Sequence, residues 1–373
     1  MKVVIRTDAS LRIGTGHVMR CLTLAKALVE KGAEVSFICR DHEGNLINKI
    51  QAEDFKVYSL TTSPGDKTCH SEHSEATKSA RNAMEPESLA HSEWLGVSQQ
   101  QDANDCRLIL EAINPDWLLL DHYAIDQAWQ KQLKLHYKKL MVIDDLGDRS
   151  HDCDVLLDQN YGSNAEKYQN RVHEACKILA GPSYALLRPE FADWREISLK
   201  RRAHQQEIET LLVTMGGVDP DNFTGQVLQQ LDKLQQATIK EIIVVMGATA
   251  PHLEEIKQQA QSMSLKTTVK TNVSNMAEIM ANADLAIGAA GATTWERCCL
   301  GLPTIQLVIA ENQRQIAKAL AKDHIVLLMD NLQQLPGLVI ETKSQIASLV
   351  KNASKLVDGQ GVARVINKMQ EVA

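Results

Sequence analysis

Several features that would assign this 373-residue chain to other protein classes are missing from it. No apolar run approaches the about 18 residues of a membrane-spanning helix. The short run at residues 3–5 is followed at once by Arg6 and Asp8, so we expect a cytoplasmic protein with no membrane partner. The net charge of −7 argues against a nucleic-acid partner. There is no CxxC pair, P-loop, nucleophile elbow or zinc-binding helix motif.

What the chain does contain is two series of alternating strand-like and helix-like segments. The predicted strands are residues 2–7, 35–40, 56–60, 117–121, 140–145, 155–160 and 178–181, then 210–215, 242–246, 267–270, 285–288, 304–308 and 326–329. Many are continuous apolar runs, which are typical of parallel strands covered on both faces by helices. The sequence therefore predicts an α/β protein of two domains, 1–200 and 201–373, joined near a charged helix at 189–204. Ligands of such domains bind at the carboxyl ends of the strands.

One stretch interrupts this alternation. Residues 61–105 are rich in serine, contain repeated Ser-Glu pairs and histidines, and have few β-branched residues. We expect a mostly disordered insertion in the first domain. It follows a predicted strand end, so a lid over the ligand and an inert surface excursion are both open.

The first strand leads into a glycine-rich turn with a histidine at its end. Gly14 and Gly16 let the backbone come close to a ligand, and His17 is the first side chain at the start of the next helix. Such a position suits a base beside a phosphorylated substrate, although the histidine could also cap or pack the turn. Arg12 and Arg20 flank the motif and are candidates to offset phosphate charge, unless they are surface residues.

The second series carries two further glycine-rich strand ends, at 214–219 and 288–296. Their backbone N–H groups and the hydroxyls of Thr293 and Thr294 are candidates to hold a diphosphate. Glu296, one turn into the helix, is placed to accept both hydroxyls of a ribose. The alternative is that a threonine caps the helix and Glu296 completes a capping pair.

Polar residues also close several other strands. Asp121-His122-Tyr123 and Asp144-Asp145 end neighbouring strands of the first series, and Glu311-Asn312-Gln313 ends one of the second. Such clusters are candidates for function because a core does not require them, although they could cap helices. The acidic residues show no spacing that demands a metal, so we expect no metal and no cofactor.

At this point the motifs resemble one family. They are RTDASLRIGTGHVMRC at 6–21, DHY at 121–123, GPSYALLRPEF at 181–191, MGGVDP at 215–220 and GAAGATTWE at 288–296. The family is the UDP-2,4-diacetamido-2,4,6-trideoxy-β-L-altropyranose hydrolase of pseudaminic acid biosynthesis. The likeness covers nearly the whole chain outside the insertion, which departs from the short connection usual in the family. The glycine-rich motifs of the second domain are shared with wider relatives, including the N-acetylglucosaminyltransferase of peptidoglycan precursor synthesis.

The resemblance implies a GT-B fold, in which two Rossmann-like domains face each other across a nucleotide-sugar cleft, and places the family's catalytic histidine on His17. We therefore expect a monomer that hydrolyses a UDP-sugar, with neutral His17 as the general base for inverting attack by water. Asp8 or Tyr123 is expected to orient the histidine or the sugar. The expected substrate-binding residues are Asp8, Arg12, Gly14, Gly16, Arg20, Asp121, Tyr123, Met215, Gly216, Gly217, Gly291, Ala292, Thr293, Thr294, Glu296, Asn312 and Gln313. A glycosyltransferase, a nucleotide-sugar binding protein without activity and a hydrolysing 2-epimerase are the alternatives.

Overall fold

A computed structural model describes residues 1–62, 89–234 and 238–372. These residues divide into two compact units, one of residues 1–156 with 167–177 and the other of residues 157–166 with 178–372. The predicted domain boundary, between residues 200 and 201, stays a prediction. In the structure, the charged helix at 189–202 lies in the second compact unit. No helix of the described part of the chain is both long and apolar enough to cross a membrane.

The first sheet contains seven strands among the described residues. They are β1 (Lys2–Thr7), β2 (Glu34–Arg40), β3 (Lys56–Leu60), β4 (Trp117–Asp121), β5 (Lys139–Ile143), β6 (Val155–Asp158) and β7 (Lys177–Ala180). Their order is β3-β2-β1-β4-β5-β6-β7, and β1, β2, β3, β4 and β5 pair in parallel. Every residue of β4 is buried, as expected for a central strand covered on both faces. All seven predicted strands are confirmed, with ends that differ by at most two residues.

The helices of the first unit are α1 (Gly16–Glu30), α2 (Ile47–Ala52), α3 (Gln99–Ile113) and α4 (Gln127–Gln132). Helix α3 corrects the expected disordered insertion at 61–105. Residues 63–88 lie outside the described part of the chain, but residues 92–95 form a 3₁₀ helix and α3 begins at Gln99, with Ser98 as its N-cap.

The helical period of α3 was missed because its buried face includes a charged residue. Asp102 is 0% exposed and lies on that face with Ala103, Cys106 and Leu110. Its carboxylate lies 2.7 Å from Nη2 of Arg6 and 2.8 Å from Nη2 of Arg40. A carboxylate counts as a surface residue in an apolar pattern, but two arginines make its burial tolerable here.

The described residues of the second unit form a parallel sheet of six strands. Its strands are β8 (Thr210–Thr214), β9 (Glu241–Val245), β10 (Lys266–Lys270), β11 (Leu285–Ala289), β12 (Thr304–Leu307) and β13 (Leu327–Met329). They follow the order β10-β9-β8-β11-β12-β13. The six predicted strands are confirmed. The aliphatic core of this unit lies on both faces of the sheet, as the low aromatic content predicts.

The described residues of this unit form eight α-helices. They are α5 (Pro189–Arg202), α6 (Phe223–Leu231), α7 (Leu253–Ser262), α8 (Met276–Asn282), α9 (Thr293–Cys299), α10 (Arg314–Lys322), α11 (Leu335–Leu356) and α12 (Gly361–Val372). The guanidinium of Arg202, at the end of α5, donates to the carbonyls of Met280, Ala283 and Leu300. These bonds attach α5 to α8 and to the end of α9, so the predicted linker helix is a packed element of this unit.

Candidate functional site

Three strand ends meet at one edge of the first sheet. Thr7 at the end of β1 is opposite Asp121 at the end of β4, and Leu120 of β4 is opposite Val142 of β5. The residues after parallel strands that end in register emerge side by side. The topology therefore brings the start of α1, which carries His17, to the polar residues that close β4 and β5.

The turn between β1 and α1 has a defined backbone. Gly14 has a φ of +77°, a conformation that a side chain disfavours, and its N–H donates to the carbonyl of Ser10 at 2.9 Å. The hydroxyl of Ser10 accepts from the N–H of Ile13 at 2.9 Å. Helix α1 begins at Gly16, so His17 lies in its first turn, as the sequence predicted.

His17 is paired with Asp121. Its Nδ1 lies 2.6 Å from Oδ1 of Asp121, and the Nη2 atom of Arg20 lies 3.2 Å from the same nitrogen. Arginine only donates hydrogen bonds, so it could bond to Nδ1 only if that nitrogen carried no proton. A bare nitrogen would then face the carboxylate at 2.6 Å, which is repulsive. The short distance thus indicates that Nδ1 carries a proton and donates it to Asp121. In a neutral ring with this tautomer, Nε2 is the nitrogen that can accept a proton.

Asp121 is held as an anion. Burial by itself would raise the pKa of this carboxyl, but Arg20 and His17 hold the pKa well below its usual range. Arg20 donates from Nε to Oδ2 and from Nη2 to Oδ1, each at 2.6 Å. The bidentate pair fixes the plane of the carboxylate and therefore the direction of its bond to His17.

Tyr123 and Asp145 complete this cluster. The Tyr123 hydroxyl donates to Oδ1 of Asp145, and its ring packs edge-on against the ring of His17, with centroids 4.6 Å apart and an interplanar angle of 83°. Burial and the charge of Asp145 raise the pKa of Tyr123, so the phenol stays neutral. The predicted grouping of strand-end residues is present here: Asp121, Tyr123 and Asp145 all surround His17 or its partner Arg20.

Two of the first unit's predicted roles need correction. Asp8 is 0% exposed and binds Arg6 and the N–H of Arg40, each at 2.6 Å, so it does not orient His17; Asp121 does. Arg20 is buried between two carboxylates, which already compensate its charge, so it is not free to neutralise a phosphate. Arg12 is exposed and forms no ion pair within the described residues, and its role stays a prediction.

The sequence analysis missed Trp94, whose ring is next to His17, and His91, whose ring packs on Trp94. Trp94 lies in the 3₁₀ helix just before α3, with its ring centroid 6.5 Å from that of His17, and His91 packs on Trp94 at 4.3 Å. Both fall inside the stretch that we expected to be disordered. The available signal was a tryptophan in a hydrophilic segment of a chain with only 4% aromatic residues.

In the second unit, three strand ends again lie next to one another. Thr214 at the end of β8 is opposite Gly288 of β11, and Ala289 of β11 is opposite Leu307 at the end of β12. The segments 215–219, 290–293 and 308–313 therefore leave the same edge of this sheet. They contain the residues that the sequence predicted to bind a nucleotide.

The first of these segments offers backbone groups more than side chains. Met215 is only 1% exposed and belongs to the core, so its side chain is not available to a ligand. Gly216 has a φ of +101°, which a side chain would disfavour. The carbonyl of Gly217 accepts from the N–H of Gly247 at 3.0 Å, which ties this turn to the end of β9.

Arg297 holds the turn between β11 and α9 through hydrogen bonds. The guanidinium donates to the carbonyl of Ala289 at 2.8 Å and to the hydroxyls of Thr293 and Thr294 at 3.1 Å each. The Thr294 hydroxyl, 2% exposed, also accepts from Gln306 at 3.1 Å. The capping alternative is wrong, because the N-cap residue is Ala292 and no side chain caps the helix. Thr294 instead belongs to an internal network that shapes the Gly291 turn.

Space for Arg297 depends on a glycine in the neighbouring strand. A Cβ atom at Gly288 would lie 2.5 Å from Nη1 of Arg297 and 3.0 Å from the carbonyl oxygen of Thr214. At Gly291 a Cβ would meet no atom within 4 Å. Gly288 is therefore required by packing, whereas the space beside Gly291 is open.

Glu296 is a largely buried acid with an altered affinity for protons. Burial raises its pKa to about 7 against the opposing effect of Arg188. The Nη2 atom of Arg188 lies 2.8 Å from Glu190 and 3.9 Å from Oε1 of Glu296. The side chain of Glu296 is 18% exposed, so one part of it faces solvent. Because its distance to Arg188 is longer than a hydrogen bond, this carboxylate is suited to accept hydrogen bonds from a ligand's hydroxyls.

The last predicted residues lie after β12. Asn312 and Gln313 are in a 3₁₀ helix, Glu311–Gln313, just before α10. The Gln313 side-chain carbonyl accepts from the N–H of Ile309 at 3.3 Å, which shapes this turn and leaves the amide NH₂ as a donor. Across the described ranges of both units, no three histidine, cysteine or acidic side chains are grouped to hold a metal ion.

Comparison with known proteins agrees with this architecture. Residues 210–357 match the glycosyltransferase family 28 C-terminal domain. Over the whole chain, the structure of MurG from Acinetobacter baumannii is similar with a TM-score of 0.64, at 14% identity and with 99% of each chain covered. The two α/β units thus define a GT-B fold made of two Rossmann-like units, and the predicted fold class is confirmed.

Several relatives extend over most of the sequence. One is a protein of Methanocaldococcus jannaschii, 28% identical over 87% of this chain; the match spans only 60% of that longer protein. Another is the UDP-2,4-diacetamido-2,4,6-trideoxy-β-L-altropyranose hydrolase of Campylobacter jejuni, 27% identical over 86% of this chain and 97% of the relative. The resemblance to this hydrolase family that the sequence motifs indicated is confirmed.

Proposed function

We propose that the protein hydrolyses a UDP-linked 2,4-diacetamido-2,4,6-trideoxy sugar, UDP-6-deoxy-AltdiNAc, to UDP and the free sugar in pseudaminic acid biosynthesis. The substrate is taken from the name of the Campylobacter relative. The observation that carries the reaction type is the pair of His17 and Asp121, with Nδ1 and Oδ1 2.6 Å apart. It supplies an imidazole whose other nitrogen is free to accept a proton from water.

In the proposed reaction, neutral His17 removes a proton from a water molecule through Nε2 while the water oxygen attacks the anomeric carbon. The bond from that carbon to the β-phosphate oxygen breaks, and both electrons leave with UDP. Attack from the face opposite the leaving group inverts the configuration at that carbon. General-base help of this kind contributes about 10²–10⁴-fold to the rate. Asp121 stabilises the imidazolium that forms, since it remains an anion.

The second unit is proposed to hold the nucleotide. Glu296 accepts the ribose hydroxyls, and the N–H groups of Gly291 to Thr293 donate to the diphosphate, with Gly216 and Gly217 nearby; the N–H of Thr294 already donates to the carbonyl of Gly291 at 2.9 Å. The open space at Gly291 and the network under Thr294 support this assignment. Fixed N–H donors stabilise a leaving diphosphate because they need no reorganisation during the reaction.

The decisive measurement is the product. NMR of a reaction with UDP-6-deoxy-AltdiNAc and no acceptor should show UDP and a free sugar, with the initially formed anomer inverted. Release that requires an added acceptor would indicate a glycosyltransferase instead. A changed configuration at C2, visible in the proton coupling constants, would indicate a hydrolysing epimerase.

The base is tested by the variant His17→Asn. We expect UDP binding to be retained and turnover to fall about 10²–10⁴-fold. The matched control is His324→Asn, since His324 is exposed and has a φ of +52° that asparagine tolerates. Hydrolysis near the wild-type rate by folded His17→Asn protein would remove His17 from the mechanism.

A further inference from the structure

Four aromatic rings lie together in the first unit. Trp94 stacks on Tyr123, with centroids 5.6 Å apart and an interplanar angle of 27°, and His91 lies 4.3 Å from Trp94 and 5.6 Å from Tyr123. His17 faces both larger rings edge-on, at 4.6 Å from Tyr123 and 6.5 Å from Trp94. The rings of Trp94 and His91 thus extend the surroundings of the proposed base with apolar, polarisable surface.

The short segment that carries these rings is anchored at its C-terminal end. Leu95 is 1% exposed. Gly96 has a φ of +72°, and a Cβ atom at this position would lie only 2.9 Å from Cε1 of His42. Immediately after it, Ser98 caps α3, whose Asp102 is held by buried arginines. The position of Trp94 is therefore fixed by its neighbours in the chain.

A role in core packing alone does not explain the position of Trp94. The core tryptophans of this unit, Trp117 and Trp129, are 1% and 0% exposed. Trp94 and His91 are only half-buried, so they leave apolar surface in contact with solvent beside a charged cluster. Half-buried aromatic rings next to a candidate base are placed as a ligand-binding surface would be.

We infer that Trp94, flanked by His91, is a specificity-determining residue on which the apolar side of the sugar stacks. This inference rests on the proposed function, which puts the sugar next to His17. A 2,4-diacetamido-2,4,6-trideoxy sugar carries three methyl groups, one at C6 and two on its acetamido substituents. These groups and the ring C–H bonds gain from contact with an aromatic face. A hexose with a 6-hydroxyl would lose a hydrogen bond to water there without regaining one.

The test measures sugar recognition separately from catalysis. In His17→Asn protein, the affinities for UDP-6-deoxy-AltdiNAc and for UDP are compared by calorimetry, and their ratio reports the contribution of the sugar. We expect Trp94→Leu to reduce this ratio about 3–10-fold, because the aromatic contact with the sugar is lost, and Trp94→Phe to retain most of it. Affinity for UDP alone should not change. Trp194→Phe, on α5 of the second unit, is the control.

With the wild-type histidine, Trp94→Leu should raise KM by a similar factor and reduce the preference over UDP-N-acetylglucosamine, with a smaller effect on kcat. An unchanged affinity ratio in folded Trp94→Leu protein overturns the inference, even if the wild type is an active hydrolase. A reduced ratio upholds it, even if the wild type shows no turnover and the proposed reaction fails. Trp94→Phe keeps the test valid if the leucine variant does not fold.

Discussion

The side chains of His17 and Asp121 form a 2.6 Å contact although 104 positions separate them in the sequence. The parallel pairing of β1 with β4, which aligns Thr7 with Asp121, creates this contact. Asp121 also binds Arg20, three positions after His17 on the same helix face. One carboxylate thereby orients both side chains of α1, and it does so from a strand whose position the core fixes.

We expect Asp121→Asn to reduce turnover by about 10²–10⁴-fold. An amide can direct its NH₂ group at Nδ1, which favours the tautomer with the proton on Nε2 and removes the base. Steady-state rates of the purified variant check this, with Asp330→Asn at an exposed position as the control. A wild-type rate in Asp121→Asn would mean that the tautomer of His17 is set by another group.

Tyr123→Phe should lower the free energy of unfolding by about 0.5–1.5 kcal/mol, since it removes the hydrogen bond to Asp145 and keeps the ring against His17. Tyr123→Ala should cost about 3–5 kcal/mol because the ring contacts are lost as well. Urea denaturation measures both values. Equal losses in the two variants would show that the ring contributes nothing beyond its hydroxyl.

Nucleotide binding should depend on pH through Glu296. Burial raises the pKa of this carboxyl from 4.5 to about 7, so the group is half-protonated near neutrality. The ionised form accepts hydrogen bonds on both oxygens, whereas one oxygen of the protonated form carries a donor, so ionised Glu296 is the better partner for two ribose hydroxyls. The affinity for UDP should therefore rise as pH increases from 6 to 8, and Glu296→Gln should weaken binding and flatten this dependence. Glu341→Gln, at an exposed position of α11, should leave both unchanged.

The same carboxyl affects stability in the opposite direction. Because the folded protein holds the proton more tightly than the unfolded chain, the contribution of Glu296 to stability is full below pH 4.5 and is lost as pH rises through about 7. The change in the free energy of unfolding caused by Glu296→Gln should consequently be more favourable at pH 8 than at pH 4, by roughly 1–3 kcal/mol. Thermal melts at the two pH values check the sign.

Gly288→Ala should destabilise the protein by about 1–3 kcal/mol, because the added methyl group collides with Arg297 and the Thr214 carbonyl. Gly337→Ala is the matched control: it lies in α11 with nothing within 4 Å and should stabilise by about 0.5–1 kcal/mol. Melting temperatures of the two variants should move in opposite directions. A neutral effect at Gly288 would show that Arg297 can shift aside.

The strands were predictable because burial of both faces leaves continuous apolar runs in the sequence, as in 117–121 and 285–289. It was also predictable that the polar residues after these strands lie at one edge of the sheet, because parallel strands place their carboxyl ends together. This was enough to select Asp121 and Tyr123, together with His17, as candidate site residues.

The individual partners were not predictable, because they depend on pairings distant in sequence. Asp8 and Asp121 both close strands next to the His17 turn, and only the structure shows that Arg6 binds one and His17 the other. Helix α3 was missed because a buried ion pair, centred on Asp102, replaces the apolar residue that a helical pattern requires. Trp94 was missed because it lies in the hydrophilic stretch just before that helix.

Arg297 occupies the volume that a side chain of β11 would otherwise fill. Burial lowers its pKa to about 10, so the guanidinium is still a cation at neutral pH, yet it is only 1% exposed. The electric field of a cation buried in the low-dielectric interior is screened by mobile ions much less than the field of a surface lysine. The second unit thus carries a permanent positive potential beneath the Gly291 turn, and its attraction for polyanions should persist at high ionic strength.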